Sequence, residues 1–108
     1  MTLGQNGDSI RYSLHMSSAV KNHAKDLHRQ QAELGRGKAY IDAFRYILER
    51  LQREPLVLGE PSYALPALHL QVRRAAVFPI IVDYAVHDSE PLVFIRGVSL
   101  LPLPSGNA

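Results

Sequence analysis

Apolar and polar positions change rhythm several times along this chain. The stretch Val77 to Leu101, VFPIIVDYAVHDSEPLVFIRGVSLL, has the densest β-branched and aromatic content. It is interrupted once, at His87-Asp88-Ser89-Glu90-Pro91. Two apolar runs around a short polar break predict a β-hairpin with a loop of about four or five residues. In the first run Ile80, Val82, Tyr84 and Val86 share one face, and Ile81, Asp83, Ala85 and His87 the other. The second run, Leu92 to Leu100, is almost wholly apolar, as a central strand covered on both faces would be.

Upstream, Leu68 to Phe78 alternates with Leu70 and Val72 inward, and His69, Gln71 and Arg73 outward. At Arg73-Arg74 two phases compete. Ala76 and Phe78 keep step with Val72, but so does Arg74; a bulge there would turn Ala75 and Val77 inward instead. Leu56 to Pro66, LVLGEPSYALP, is punctuated by Gly59, Pro61 and Pro66 and reads as a loop.

The first half is helical. Ile10 to Met16 alternates as a half-buried strand, with Ile10, Tyr12, Leu14 and Met16 on one side. Ser17 and Ser18 are candidate N-caps. Val20, Ala24, Leu27, Gln31 and Leu34 then recur at helical steps, and Gly35 and Gly37 mark the end. A second helix carries the broader stripe Tyr40, Ala43, Phe44, Ile47, Leu48 and Leu51. Pro55 stops it, because the residue before a proline is pushed out of the α region. Burying each large side chain of this stripe is worth about 1.5–3 kcal/mol, so it must lie on the sheet.

The expected fold is α+β in the order β-α-α-β-β-β. Two helices pack on one face of a small, mainly antiparallel four-stranded sheet. Residues 10–101 form the single domain, residues 1–9 a disordered leader and residues 102–108 an irregular tail.

Composition narrows the field. The chain has 108 residues, 46% of them hydrophobic and 20% charged, with a net charge of +2 and no cysteine. Disulfides and thiolate metal sites are excluded, and a cytosolic home is permitted. No apolar run approaches the roughly 18 residues of a membrane span. So small a net charge does not by itself argue for nucleic acid, which calls for a concentrated basic face.

Arginines are the main candidate chemistry. Arg73 and Arg74 suit a phosphate or carboxylate, since a guanidinium fork matches both; the plainer alternative is an exposed pair held by Asp83 or Glu60. Arg96 sits inside an apolar strand. It either pairs with Asp83 across the sheet or lines the same groove as Arg73. Glu60, beside Gly59 and Pro61, is a turn residue or a lone acid–base group. The histidines give no chelating pair: His23 and His28 do not share a helix face, and Asp83 and His87 lie about 13 Å apart along a strand. His15 and His69 would meet only if their strands were neighbours. Neither a metal nor a cofactor is expected.

The order of elements has company in the local text. A helix ending in RLQREP, a Gly-Glu-Pro loop, a strand with paired arginines and then VDYAVHDSEPLVFIRGV resembles the RelE/ParE superfamily, the toxin halves of bacterial type II toxin–antitoxin modules, over Ile10 to Leu101. The resemblance implies a cytoplasmic protein of a plasmid-stabilising kind with an antitoxin partner. Its target would be the ribosome and its mRNA, or gyrase. It assigns Arg73, Arg74 and Arg96 to a catalytic role in RNA cleavage, where cations offset charge developing on the phosphate. Arg73 and Arg74, with Asp83 and Glu60, become binding residues. The chain also departs from the pattern. Pro79-Ile80-Ile81 stands where the family often has an arginine. Leu100-Leu101-Pro102 replaces the basic residues after the last strand, and no tyrosine lies beyond Tyr84. A toxin-like protein that works by binding is therefore expected ahead of an RNase, with self-association through a free sheet edge, giving a homodimer, as a third reading.

Overall fold

The computed structural model describes residues 10–102; the expected leader, and the tail beyond Pro102, lie outside them. The elements run β1 (Ser13–Met16), α1 (Ser18–Glu33), α2 (Gly37–Arg53), α3 (Pro55–Leu58), β2 (Glu60–Leu65), a 3-10 turn (Pro66–Leu68), β3 (Leu70–Val77), β4 (Ile80–His87) and β5 (Leu92–Leu100). The strands form one five-stranded sheet in the order β1-β5-β4-β3-β2. β1 runs parallel to β5, and the other three pairings are antiparallel.

Two expectations are corrected here. The sheet is five-stranded and mixed, not four-stranded. The residues read as the loop Leu56–Pro66 fold into the one-turn helix α3 and the strand β2. Prolines hid that strand. Pro61 is tolerated because β2 is an edge strand, whose outer side has no ladder to supply with donors. The parallel pairing follows from the connection: α1 and α2 together form the crossover that a parallel neighbour requires.

Local chemistry explains the helix ends. Ser17 Oγ accepts the Val20 amide hydrogen at 3.1 Å and caps α1. The chain reverses between the helices at Gly35, whose φ of 78° belongs to the left-handed region that glycine enters without strain. α2 ends at Arg53, and Pro55 opens α3 at a position where its missing amide hydrogen costs nothing.

The helices lie on one face of the sheet. Leu27 of α1 and Tyr40, Ile47 and Leu51 of α2 join Ile80, Val82, Tyr84 and Val86 of β4 and Val93, Ile95 and Val98 of β5 in the buried core. The expected stripe of α2 and the expected inner face of β4 are thus the ones observed. Strand β5 has neighbours on both sides, but only one of its faces is covered: Phe94 is half-buried and Arg96 exposed on the other.

Of the two phases open for β3, the one with Ala75 and Val77 inward is observed. It extends back to Arg73, so that Leu70 and Val72, expected inward, lie on the other side. Ala75 and Val77 face the helices, and so does Arg73, which pairs with the core residue Tyr84. No bulge interrupts the β3–β4 ladder between Leu70 and Val77. The bulges lie elsewhere. One leaves Ser62 as the extra residue of β2 opposite β3; the other leaves Arg96 as the extra residue of β5 opposite β4.

Candidate functional site on the open sheet face

Consecutive strand residues point to opposite faces, and in β3 this separates the two candidate arginines. Arg73 is 6% exposed. Its guanidinium donates to the carbonyl oxygens of Leu56 at 2.9 Å and Gly59 at 2.6 Å, and to Gln71 Oε1 at 3.0 Å; only Nε lacks an acceptor. It ties α3 to the sheet. Tyr84 works beside it, donating its hydroxyl hydrogen to the Pro55 carbonyl at 2.8 Å and accepting the Gly59 amide at 3.1 Å. A side chain at position 59 would collide with the Arg74 carbonyl and the Tyr84 hydroxyl. Glycine is therefore required there by close approach.

Arg74 faces the other way and is exposed. Asp83 lies directly across the β3–β4 ladder. Its carboxylate accepts from Arg74 Nε at 2.8 Å and from an Nη at 3.5 Å. That hydrogen bond, and then the charge of Asp83, push the Arg74 guanidinium above its ordinary pKa. Asp83 thus serves Arg74, not Arg96. Glu60 is in register with Arg74 on the far side, is exposed, and makes no ion pair among the described residues.

Arg96 leaves the bulge in β5 and reaches sideways. One of its Nη groups donates to the Tyr63 hydroxyl at 2.8 Å. Tyr63 belongs to β2, so β4 and β3 lie between the two residues. Tyr63, Arg74, Asp83 and Arg96 border one hollow of about 410 Å³ with Val72 at its base. A second hollow, about 550 Å³, lies on the other side of Arg96, against His15 and Phe94. Those two rings stack at 5.4 Å between centroids. Two guanidinium groups, a phenol, the exposed His15 ring and the half-buried Phe94 ring therefore share one face. Such a face suits an anion carried on a flat ring.

Of the expected site residues, Arg74, Asp83 and Arg96 come together here. Glu60 sits at the margin, and Arg73 lies on the opposite face. Tyr63 and Phe94 were not singled out from the sequence, and His15 only as a possible partner of His69. Tyr63 was hidden in the apparent loop. Phe94 and His15 become partners only through the parallel β1–β5 pairing.

The histidines stay apart from one another as ligands. β1 and β3 are separated by β5 and β4, so His15 and His69 do not meet. His69 and His87 approach to 6.1 Å between ring centroids, but His87 Nδ1 already accepts the amide hydrogens of Ser89 and Glu90. No cluster of three potential metal ligands occurs among the described residues. Nor is any helix there long and apolar enough to cross a membrane.

The helical layer offers a second surface. Between α1 and α2 runs an apolar groove of about 230 Å³, floored by Ala24, Tyr40, Ile41, Phe44 and Leu48 and rimmed by Lys21 and Lys25. Neither lysine forms an ion pair among the described residues. The Tyr40 hydroxyl is not free for a ligand, since it donates to the Ala24 carbonyl at 2.7 Å.

No family model matches the sequence, and no curated protein matches it. Among solved structures, a chain of the toxin–antitoxin complex RelBE2 from Mycobacterium tuberculosis superposes with a TM-score of 0.62. The match covers 86% of this chain and 94% of that one, at 17% identity. At that identity the likeness is one of architecture: this chain shares the fold of that chain.

Proposed function

We propose that this protein is the toxin, or a toxin-like binding member, of a bacterial toxin–antitoxin module, working in the cytoplasm. Its antitoxin lays an amphipathic helix in the groove between α1 and α2. The observation that carries this is the groove itself, on a RelE-like fold. An apolar floor of Ile41, Phe44 and Leu48 stands beside two lysines, four residues apart, that have no ion-pair partner among the described residues. A partner helix with an apolar stripe and a flanking pair of carboxylates one turn apart matches both features. The test is co-expression with the product of the neighbouring reading frame, followed by titration calorimetry. Lys21→Glu with Lys25→Glu should weaken the complex at least roughly tenfold and flatten its salt dependence. A complex indifferent to both changes would remove the groove from the proposal.

A second reading is supported by Arg74, Arg96 and Tyr63 around one hollow: this face meets the target and holds a phosphate of mRNA on the ribosome. Arg73, committed to the Leu56 and Gly59 carbonyls, acts in it only by holding the strand in place. Ribosome-dependent cleavage that falls with Arg74→Ala and Arg96→Ala supports this reading. Gyrase inhibition without any cleavage would replace it.

A further inference from the structure

The Arg96–Tyr63 contact joins side chains from strands with two others between them. Strand pairing puts Tyr63 beside Val72, Val72 beside Ala85, and Ala85 beside Phe94. This row lies on the face away from the helices, yet Val72 is only 2% and Ala85 0% exposed. Neither belongs to the core beneath the helices. On that side no layer of secondary structure covers them among the described residues. What spans the row is the Arg96 arm, anchored at one end by the bulge and at the other by the Tyr63 hydroxyl. Long aliphatic stems of this kind cover apolar surface while the charged head finds a polar partner.

We infer that Arg96 and Tyr63 form a latch that closes the open sheet face, and that the latch must release before the face takes a phosphate-bearing ligand. In the closed state Arg74 is neutralised by Asp83 and Arg96 lies flat with one donor spent on Tyr63. Lifting Arg96 toward an anion would bare Val72 and Ala85 to water. Phosphate alone offers nothing to cover them again. A phosphate carried on a flat ring does, because the ring replaces the arm over the apolar row while the guanidinium meets the anion. The latch thus selects a nucleotide chain over small inorganic anions.

The inference rests on the reading of this face as the target surface, and the test separates the two. Tyr63→Phe keeps the ring, half exposed as it is, and removes only the hydroxyl that holds Arg96. Nitrogen-15 NMR of the Arg96 guanidinium should show restricted rotation in the wild type and free rotation in Tyr63→Phe. Losing one charge-assisted hydrogen bond from the closed state should tighten binding of a uridylate hexamer by roughly 3- to 10-fold, with a smaller gain for inorganic pyrophosphate. Arg96→Met should lose the hexamer while leaving the melting temperature close to that of the wild type. Hexamer affinity that is unchanged or weaker in Tyr63→Phe overturns the latch, as does free rotation of Arg96 in the wild type. If neither protein binds the hexamer but rotation is still freed by Tyr63→Phe, the latch stands and the target surface falls. If rotation is not freed, both fall.

Discussion

Arg73 and Arg74 are neighbours in the chain and live in different media. On the helix side of the sheet, Arg73 is shut away from water and its donors go to the Leu56 and Gly59 carbonyls and to Gln71 Oε1. On the open side, Arg74 keeps most of its surface in solvent and pairs with a carboxylate. The first arrangement builds the fold: it fastens α3 and the start of β2 to β3. The second is cheap to break, which is what a binding surface needs. A charged residue on this sheet is therefore read by its face, not by its type.

The largest effect expected from that contrast is at the buried arginine. Arg73→Ala leaves the Leu56 and Gly59 carbonyls without their donor and opens a cavity. Loss of two charge-assisted hydrogen bonds predicts about 3 kcal/mol of destabilisation in urea unfolding. Arg74→Ala, by the same measurement, should leave the midpoint where it was, because an exposed ion pair contributes little. Equal losses at the two positions would erase the distinction between the faces.

Next comes Gly59, whose carbonyl accepts from Arg73. Gly59→Ala places a methyl group against the Arg74 carbonyl and the Tyr84 hydroxyl. The strand or the tyrosine must move, and overpacking of this kind costs about 2 kcal/mol. Hydrogen exchange should locate the loosening in α3 and β2, leaving α1 and the β4–β5 hairpin protected. A uniform loss of protection would mean that this corner is not a separate fastening.

How much of this was legible beforehand depended on whether the cause was local. The stripe of α2, the Ser17 cap and the alternation of β4 are written in nearest-neighbour spacing, and they fold as read. β2 was missed because Gly59, Pro61 and Pro66 speak for a loop, and only its place at the sheet edge makes Pro61 harmless. The phase of β3 stood open beyond Arg74, and its first half was placed the wrong way round because an arginine was expected to face water. Nothing in the sequence near Arg73 announces the Leu56 and Gly59 carbonyls that make its burial tolerable. The open face was half legible. Arg74, Asp83 and Arg96 stood out as charges in apolar strands, but the Arg96–Tyr63 reach requires the strand order, and the sequence pattern does not state that order.

The smallest effect tests how dry the helix side is. Tyr40 lies at the α1–α2 contact, 1% exposed, with its hydroxyl on the Ala24 carbonyl. Burial pushes its pKa up from 10.0 to about 12. A phenol with a raised pKa in the folded state favours folding while it keeps its proton. Above pH 10 the unfolded chain loses that proton first, so the folded state holds more protons and stability must fall as pH rises from about 10 to about 12. Tyr40→Phe should cost about 1 kcal/mol at neutral pH through the lost hydrogen bond, and should shed this residue's share of the alkaline decline. Unfolding free energies of the two proteins would then converge with rising pH. Parallel curves across that window would mean that water reaches Tyr40, and that the helix face of the sheet is less sealed than the burial of Arg73 requires.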